Sequence, residues 1–162
     1  MSSSTAKRSI IFFGGYKTPI KRYISYFPGF ELCSVTECNY CSGLSSNILT
    51  HSIGLVNALI YFSEQNIKPT YIIAMDPPNL FHDNISKKIQ GDDKTLSAIY
   101  QQYRDTNINL SDWNITVFRN ISKKDDKDTG VYSGVRYYTQ DTHYPYQIQA
   151  VRNSIVSMLT YS

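Results

Sequence analysis

Short apolar runs alternate along the chain with longer segments in which apolar residues recur every three or four positions. The short runs predict β-strands, because each is brief and apolar and several are stopped by glycine or proline. The predicted strands cover residues 9–13, 31–36, 47–50, 70–75, 114–120 and 134–139.

The longer segments predict helices with one apolar face, and the segment after the third strand is apolar on most sides. Thr18 and Pro19 are suited to the N-cap and the first position of the first helix. The predicted helices lie in residues 18–27, in residues 53–65, after Asp92 or Asp93, and from Pro145 onward. We expect the polar stretch 79–93 to be irregular and to be the only candidate lid.

Strands that alternate with helices predict an α/β fold in three layers, with a mostly parallel sheet of about six strands and helices on both faces. The length of 162 residues fits one domain. We expect a disordered N-terminal tail over residues 1–8 and a single domain over residues 9–162. A clipped helix around Tyr40–Ser45 is expected to join the second strand to the third.

Composition excludes several classes of function. The net charge of +3 is small and the basic residues are scattered, so nothing favours a nucleic-acid partner. No apolar run is long enough for a membrane-spanning helix, and no secretory signal follows the polar start, so we expect a cytoplasmic protein. Cys33, Cys38 and Cys41 are odd in number and predict free thiols, not a metal site.

The segment Thr-His-Ser-Ile-Gly places Ser52 directly between the third predicted strand and a helix. Functional groups of parallel sheets gather at the carboxyl ends of strands, and a sharp turn there pushes a side chain out of the packing. Gly54 supplies a small residue for the close approach of strand and helix, whereas Thr50 stands where glycine is usual. Ser52 is therefore either a candidate nucleophile or an ordinary turn serine.

A nucleophilic serine needs a base and an acid that orients the base. His143 is the candidate base, because it lies between the sixth strand and the last helix. Asp76 ends the fourth strand, next to the strand that precedes Ser52, and is the candidate acid. The cluster Asp125–Asp128 after the fifth strand is the alternative, with Asp126 its best member. We expect His51 to point away from the Ser52 hydroxyl.

The order Ser52, Asp76, His143, together with Phe-Phe-Gly-Gly-Tyr after the first strand, resembles the α/β-hydrolase family. The resemblance implies a reduced version of that fold, without its usual first two strands. The segment Ile-Ile-Ala-Met-Asp-Pro-Pro is similar to a motif of pancreatic-type lipases, which implies Asp76 as the acid. The family also implies an oxyanion hole made of the Ile53 amide and the amide of Gly15, with Tyr16 the alternative.

These expectations converge on a serine hydrolase that cleaves a small-molecule or lipid ester or thioester through an acyl-enzyme intermediate. The predicted mechanism needs no cofactor and no metal, and the oligomeric state is not predicted. One alternative is a binding or regulatory protein that keeps the fold without turnover. Another is an acyltransferase with the same residues, which would exclude water.

Overall fold

The computed structural model describes residues 7–35 and 47–161, and these ranges contain six strands and six α-helices. The strands are β1 (Arg8–Phe13), β2 (Phe30–Cys33), β3 (Asn47–His51), β4 (Tyr71–Met75), β5 (Ile115–Asn120) and β6 (Gly134–Tyr138). The helices are α1 (Lys21–Ile24), α2 (Gly54–Glu64), α3 (His82–Ile89), α4 (Lys94–Thr106), α5 (Asp126–Thr129) and α6 (Gln149–Thr160). Short 3₁₀ turns cover Leu110–Asp112, Ile121–Lys123 and Pro145–Gln147.

All six strands are parallel and form one sheet in the order β2-β1-β3-β4-β5-β6. This confirms the predicted sheet. The chain runs from β1 outward to β2 and then returns to the other side of β1 with β3. The direction of winding therefore changes between β1 and β3, and the loops that follow these two strands diverge. In open α/β sheets such a switch point leaves a crevice at the carboxyl ends of the strands.

Alternate residues of the central strands enter two separate hydrophobic cores, one on each face of the sheet. Ile11, Ile48 and Ile72 pack in the core that is covered by α2 and α4. Leu49 and Ile73, their neighbours along the strands, pack in the core that is covered by α1 and α6. The strands are apolar on both sides because both faces are buried, as parallel sheets require. The three-layer prediction is thus confirmed.

Several predicted elements differ from the structure. The strand predicted over residues 31–36 is Phe30–Cys33, and Pro145 opens a 3₁₀ turn, so that α6 begins only at Gln149. The first helix is shorter than predicted. Thr18 does not cap it, because the Thr18 hydroxyl donates to the Tyr16 carbonyl at 3.1 Å and the residue at the N-cap position is Ile20. The stretch 79–93 is not irregular: it contains α3, whose Ile85 is buried in the core while most of its other side chains are polar. A single buried apolar residue gave too weak a helical pattern to predict α3 from the sequence.

Several expectations concern the edges of the described ranges. Arg8, which we assigned to the N-terminal tail, is the first residue of β1. The predicted helix around Tyr40–Ser45 and the residues Cys38 and Cys41 lie outside the described residues. In the part of the chain that is described, no helix has the length and apolar character that crossing a membrane demands.

Candidate active site

Ser52 occupies the turn that joins β3 to α2, and its backbone is left-handed with a φ of 56°. A residue other than glycine costs about 1 kcal/mol or more in that region, so the surrounding structure must hold it there. The Ser52 amide donates to the Met75 carbonyl at 2.9 Å, which extends the β3–β4 ladder by one residue. The side chain is half-buried at the carboxyl edge of the sheet.

Gly54 allows the start of α2 to pack against the end of β1. A Cβ atom at this position would lie 2.1 Å from the Phe13 carbonyl oxygen, which no real contact permits. Thr50 does not obstruct this approach. Its side chain is buried, and its hydroxyl donates to the Ile73 carbonyl at 3.4 Å. The departure from glycine at residue 50 is therefore compatible with the turn.

Asp76 follows β4, the neighbour of β3, and it has a left-handed backbone as well, with a φ of 46°. Its amide donates to the Phe118 carbonyl at 2.8 Å, and its side chain is buried. Ser52 and Asp76 are thus the first residues past two adjacent strands. Both lie at the carboxyl edge of the sheet.

Two cationic or titratable side chains meet at the Asp76 carboxylate. His143 Nδ1 lies 3.6 Å from Asp76 Oδ2, and Lys123 Nζ lies 3.3 Å from each carboxylate oxygen. The imidazole of His143 is 77% exposed, so solvent and small molecules reach it. Within the described residues the Ser52 hydroxyl forms no hydrogen bond, and the structure therefore joins Asp76 to His143 but not His143 to Ser52.

The alternative acids after β5 are engaged elsewhere. Asp125 accepts a hydrogen bond from the Lys127 amide at 2.9 Å, and Asp126 is exposed at the start of α5. Asp128 is buried 2.8 Å from Arg119 Nε. Burial raises the pKa of Asp128, and the Arg119 charge opposes that rise. None of the three contacts His143 in the described part of the chain.

The loop after β1 lies beside Ser52. A Cβ atom added at Gly15 would lie 3.6 Å from Ser52 Cβ, in van der Waals contact, and 3.3 Å from His51 Nδ1, so this loop lies against both residues. The Gly15 amide, however, already donates to Tyr23 Oη at 2.9 Å. The amides of Tyr16 and Ile53 have no partner among the described residues.

His51 is a buried residue of the site for which the sequence predicted no role. Its Nε2 lies 2.8 Å from the His143 carbonyl oxygen, and its Nδ1 lies 2.8 Å from Tyr23 Oη. Burial lowers the pKa of His51, which keeps the ring neutral. Tyr23, His51 and Lys123 were missed because their contacts join distant parts of the chain. Only the position of His51 next to Ser52 was a usable signal.

The described residues hold no group of three or more His, Cys, Asp or Glu side chains that is arranged to ligate a metal ion. The polar groups of the site instead suit proton transfer and the binding of an oxyanion. They are a hydroxyl, an imidazole paired with a carboxylate, a lysine ammonium and backbone amides.

A six-stranded parallel sheet in this order, with a left-handed serine turn at its switch point, defines the α/β-hydrolase fold, here in a reduced version. Solved structures of other proteins share this fold. A haloalkane dehalogenase from Bradyrhizobium elkani is 8% identical, with a TM-score of 0.67 over 98% of this chain and 92% of the dehalogenase. A hydrolase from Oleispira antarctica is 9% identical, with a TM-score of 0.55 over 99% and 93% of the two chains.

A type II thioesterase, BorB from the borrelidin biosynthetic cluster, is 12% identical, with a TM-score of 0.55 over 99% of this chain and 94% of the thioesterase. No protein-family model and no curated protein sequence matches the chain. Identities this low establish the fold and not the reaction. The function must therefore be argued from the site.

Proposed function

We propose that this protein is a serine hydrolase that cleaves a carboxylic ester or thioester. One observation carries the proposal: at the switch point of the sheet, a left-handed Ser52 turn adjoins a buried Asp76 that lies 3.6 Å from His143. The fold shared with several hydrolases supports it. The substrate class, a small-molecule or lipid acyl compound, and the cytoplasmic location stay predictions.

In the proposed reaction, Ser52 Oγ attacks the acyl carbon while His143 Nε2 takes the hydroxyl proton. His143 returns this proton to the leaving alcohol or thiol, and the acyl group stays on Ser52. Water then attacks the acyl-enzyme with His143 again as the base, which releases the acid and regenerates the serine. Asp76 faces Nδ1, so it favours the tautomer that leaves Nε2 unprotonated and stabilises the imidazolium.

The geometry requires one adjustment before this reaction. The exposed His143 ring must bring Nε2 within hydrogen-bond distance of Ser52 Oγ, and such contacts often tighten only when substrate binds. Lys123 shares the Asp76 carboxylate with His143. Its ammonium charge weakens the field that Asp76 exerts on the imidazole.

Two backbone amides are proposed to bind the oxyanion. The Ile53 amide follows the nucleophile at the N-terminal end of α2, where the helix dipole favours negative charge. For the second donor we favour the Tyr16 amide, since the Gly15 amide is bonded to Tyr23 in this structure. Gly15 would donate only after exchanging that partner for the substrate.

The exposure of His143 favours hydrolysis over acyl transfer, because water has free access to the base. The contact missing between Ser52 and His143 favours a second candidate, a binding or regulatory protein without turnover. The same experiment separates the two candidates.

The test is reaction of the folded protein with a fluorophosphonate probe, followed by location of the adduct by mass spectrometry. We expect stoichiometric labelling of Ser52, no labelling of Ser52→Ala, and normal labelling of Ser63→Ala. Ser63 is a matched control, because it is a half-buried serine near the far end of α2. Turnover of p-nitrophenyl acetate should follow the labelling. A folded wild-type protein that neither labels nor turns over would overturn the hydrolase and favour the second candidate.

A further inference from the structure

Three hydrogen bonds connect the loop after β1 to the loop of His143, and they pass through a buried histidine. The Gly15 amide donates to Tyr23 Oη at 2.9 Å, and Tyr23 Oη lies 2.8 Å from His51 Nδ1. On the other side of the ring, His51 Nε2 lies 2.8 Å from the His143 carbonyl oxygen. We call this set the His51 chain.

The partners fix the direction of every bond in the His51 chain. A carbonyl oxygen only accepts, so His51 Nε2 carries a hydrogen and donates it to His143. In the neutral ring Nδ1 then has a lone pair and accepts from the Tyr23 hydroxyl. The Tyr23 oxygen in turn accepts from the Gly15 amide. Each donor has one acceptor only if His51 is the neutral Nε2–H tautomer.

The surroundings of His51 support the neutral ring. Tyr23 is fully buried, His51 is 6% exposed, and the imidazole makes edge-on contacts with the rings of Tyr23 and Tyr146 at 5.5 and 5.2 Å. The charged or titratable groups that act on it are Asp76 and His143, which oppose each other. Burial outweighs both and lowers the pKa of His51.

We propose that His51 and Tyr23 are positioning residues of the site, which hold the His143 backbone at a fixed place relative to the loop after β1. The proposal rests on the hydrolase function proposed above. His51 also immediately precedes Ser52 in the chain. One buried ring therefore ties together the loop of the base, the turn of the nucleophile and the loop of the oxyanion amides. Neither residue touches the reacting atoms.

Two substitutions of His51 test the two sides of the His51 chain separately. In His51→Gln, the side-chain nitrogen reaches the position of Nε2 and keeps the donor to His143. In His51→Asn, the shorter side chain reaches only the position of Nδ1, so the bond to His143 is lost. Tyr23→Phe removes the central hydroxyl and keeps the ring. Tyr26→Phe is the matched control, because Tyr26 also packs on Tyr146 and is not part of the His51 chain.

The kinetic test uses p-nitrophenyl acetate, with active sites counted by the fluorophosphonate. We expect kcat per labelled site to fall about 10- to 100-fold in His51→Asn and Tyr23→Phe, because small displacements of a catalytic group cost that much. KM should stay unchanged, and His51→Gln should recover most of the rate. A merely structural role would lower the number of labelled sites and not kcat per site. Equal rates for the Asn and Gln variants would overturn the proposal.

A second measurement does not depend on activity. Proton–nitrogen correlation spectra of the imidazole rings at pH 7 should show His51 as the neutral Nε2–H tautomer, with Nδ1 shifted in Tyr23→Phe and not in Tyr26→Phe. A reactive wild-type protein with a protonated Nδ1 would overturn the His51 chain alone. An unreactive protein with the expected tautomer would confirm the His51 chain. It would overturn the proposed function and, with it, the positioning role.

Discussion

The two central residues of the site share an uncommon backbone conformation. Ser52 and Asp76 both have positive φ values, 56° and 46°, and each directly follows one of two adjacent strands. Each amide extends the sheet ladder by one further bond, Ser52 to Met75 and Asp76 to Phe118. The ladder thus holds both residues in a strained region while their side chains leave the plane of the sheet. Strain of this kind concentrates at functional sites.

The close approach beside Ser52 gives a stability prediction for Gly54. Gly54→Ala should lower the free energy of unfolding by about 3 kcal/mol or more, because its Cβ would meet a backbone oxygen that cannot move away. The atom in question is the Phe13 carbonyl oxygen, 2.1 Å from the added Cβ. Urea unfolding monitored by circular dichroism measures the change.

Gly29→Ala is the control for this prediction, since nothing lies within 4 Å of a Cβ at Gly29. It should change the free energy of unfolding by no more than about 0.5 kcal/mol. Similar stability in the Gly54 and Gly29 variants would show that α2 does not pack on the end of β1 as described.

At this scale the sequence revealed residues that share one turn and residues that directly follow a predicted strand. Ser52 and Gly54 were identified because their spacing in one turn follows from local geometry. The contact of Tyr23 with His51 was not predictable, because these residues lie 28 positions apart and meet only when α1 packs under the sheet. The pairing of Lys123 with Asp76 was missed for the same reason, at a separation of 47 positions.

Among the elements, strands were predicted better than helices. A strand buried on both faces is a continuous apolar run, and its ends are marked by the first polar residue, as Asp76 marks β4. Helix α4 was located by its cap, since the Asp93 side chain accepts from the amides of Thr95 and Leu96. Helix α3 has no capping side chain and buries only Ile85, so tertiary packing and not local pattern defines it.

A buried ion pair links β5, α5 and the turn that follows Asp76. Arg119 Nε of β5 lies 2.8 Å from Asp128 of α5, and Arg119 Nη1 donates to the Pro77 carbonyl at 2.9 Å. Both charged side chains are almost fully buried. Since Pro77 follows Asp76, the guanidinium supports the turn that carries Asp76.

Removing one partner of this pair should destabilise the protein strongly. Asp128→Asn leaves the Arg119 charge buried without a counter-charge, which costs about 3 kcal/mol or more. Asp126→Asn, an exposed position in the same helix, should be nearly neutral. Urea midpoints at pH 7 compare the two. Equal midpoints would mean that the ion pair adds nothing to the fold.

At the scale of the whole molecule, the order of the strands assembles the site. The loop after β1, the turn after β3, Asp76 after β4 and His143 after β6 all follow carboxyl ends of a single parallel sheet. The alternation of strands and helices already predicted that these loops share an edge. It could not predict which carboxylate faces His143, because Asp76 and the Asp125–Asp128 cluster lie on the same edge. In the structure Asp76 lies near His143, whereas Asp128 pairs with Arg119.

The choice between these acids is the last prediction. Asp76→Asn should lower kcat about 10⁴-fold, because an amide no longer holds the required His143 tautomer. Stability should change little, since the lost ion pair with Lys123 is partly exposed and such pairs contribute about 1 kcal/mol or less. The measurements are fluorophosphonate labelling rates and p-nitrophenyl acetate turnover, with thermal unfolding as the check on the fold. Asp126→Asn should keep the wild-type rate, and a large loss there with a normal rate in Asp76→Asn would move the acid to the start of α5.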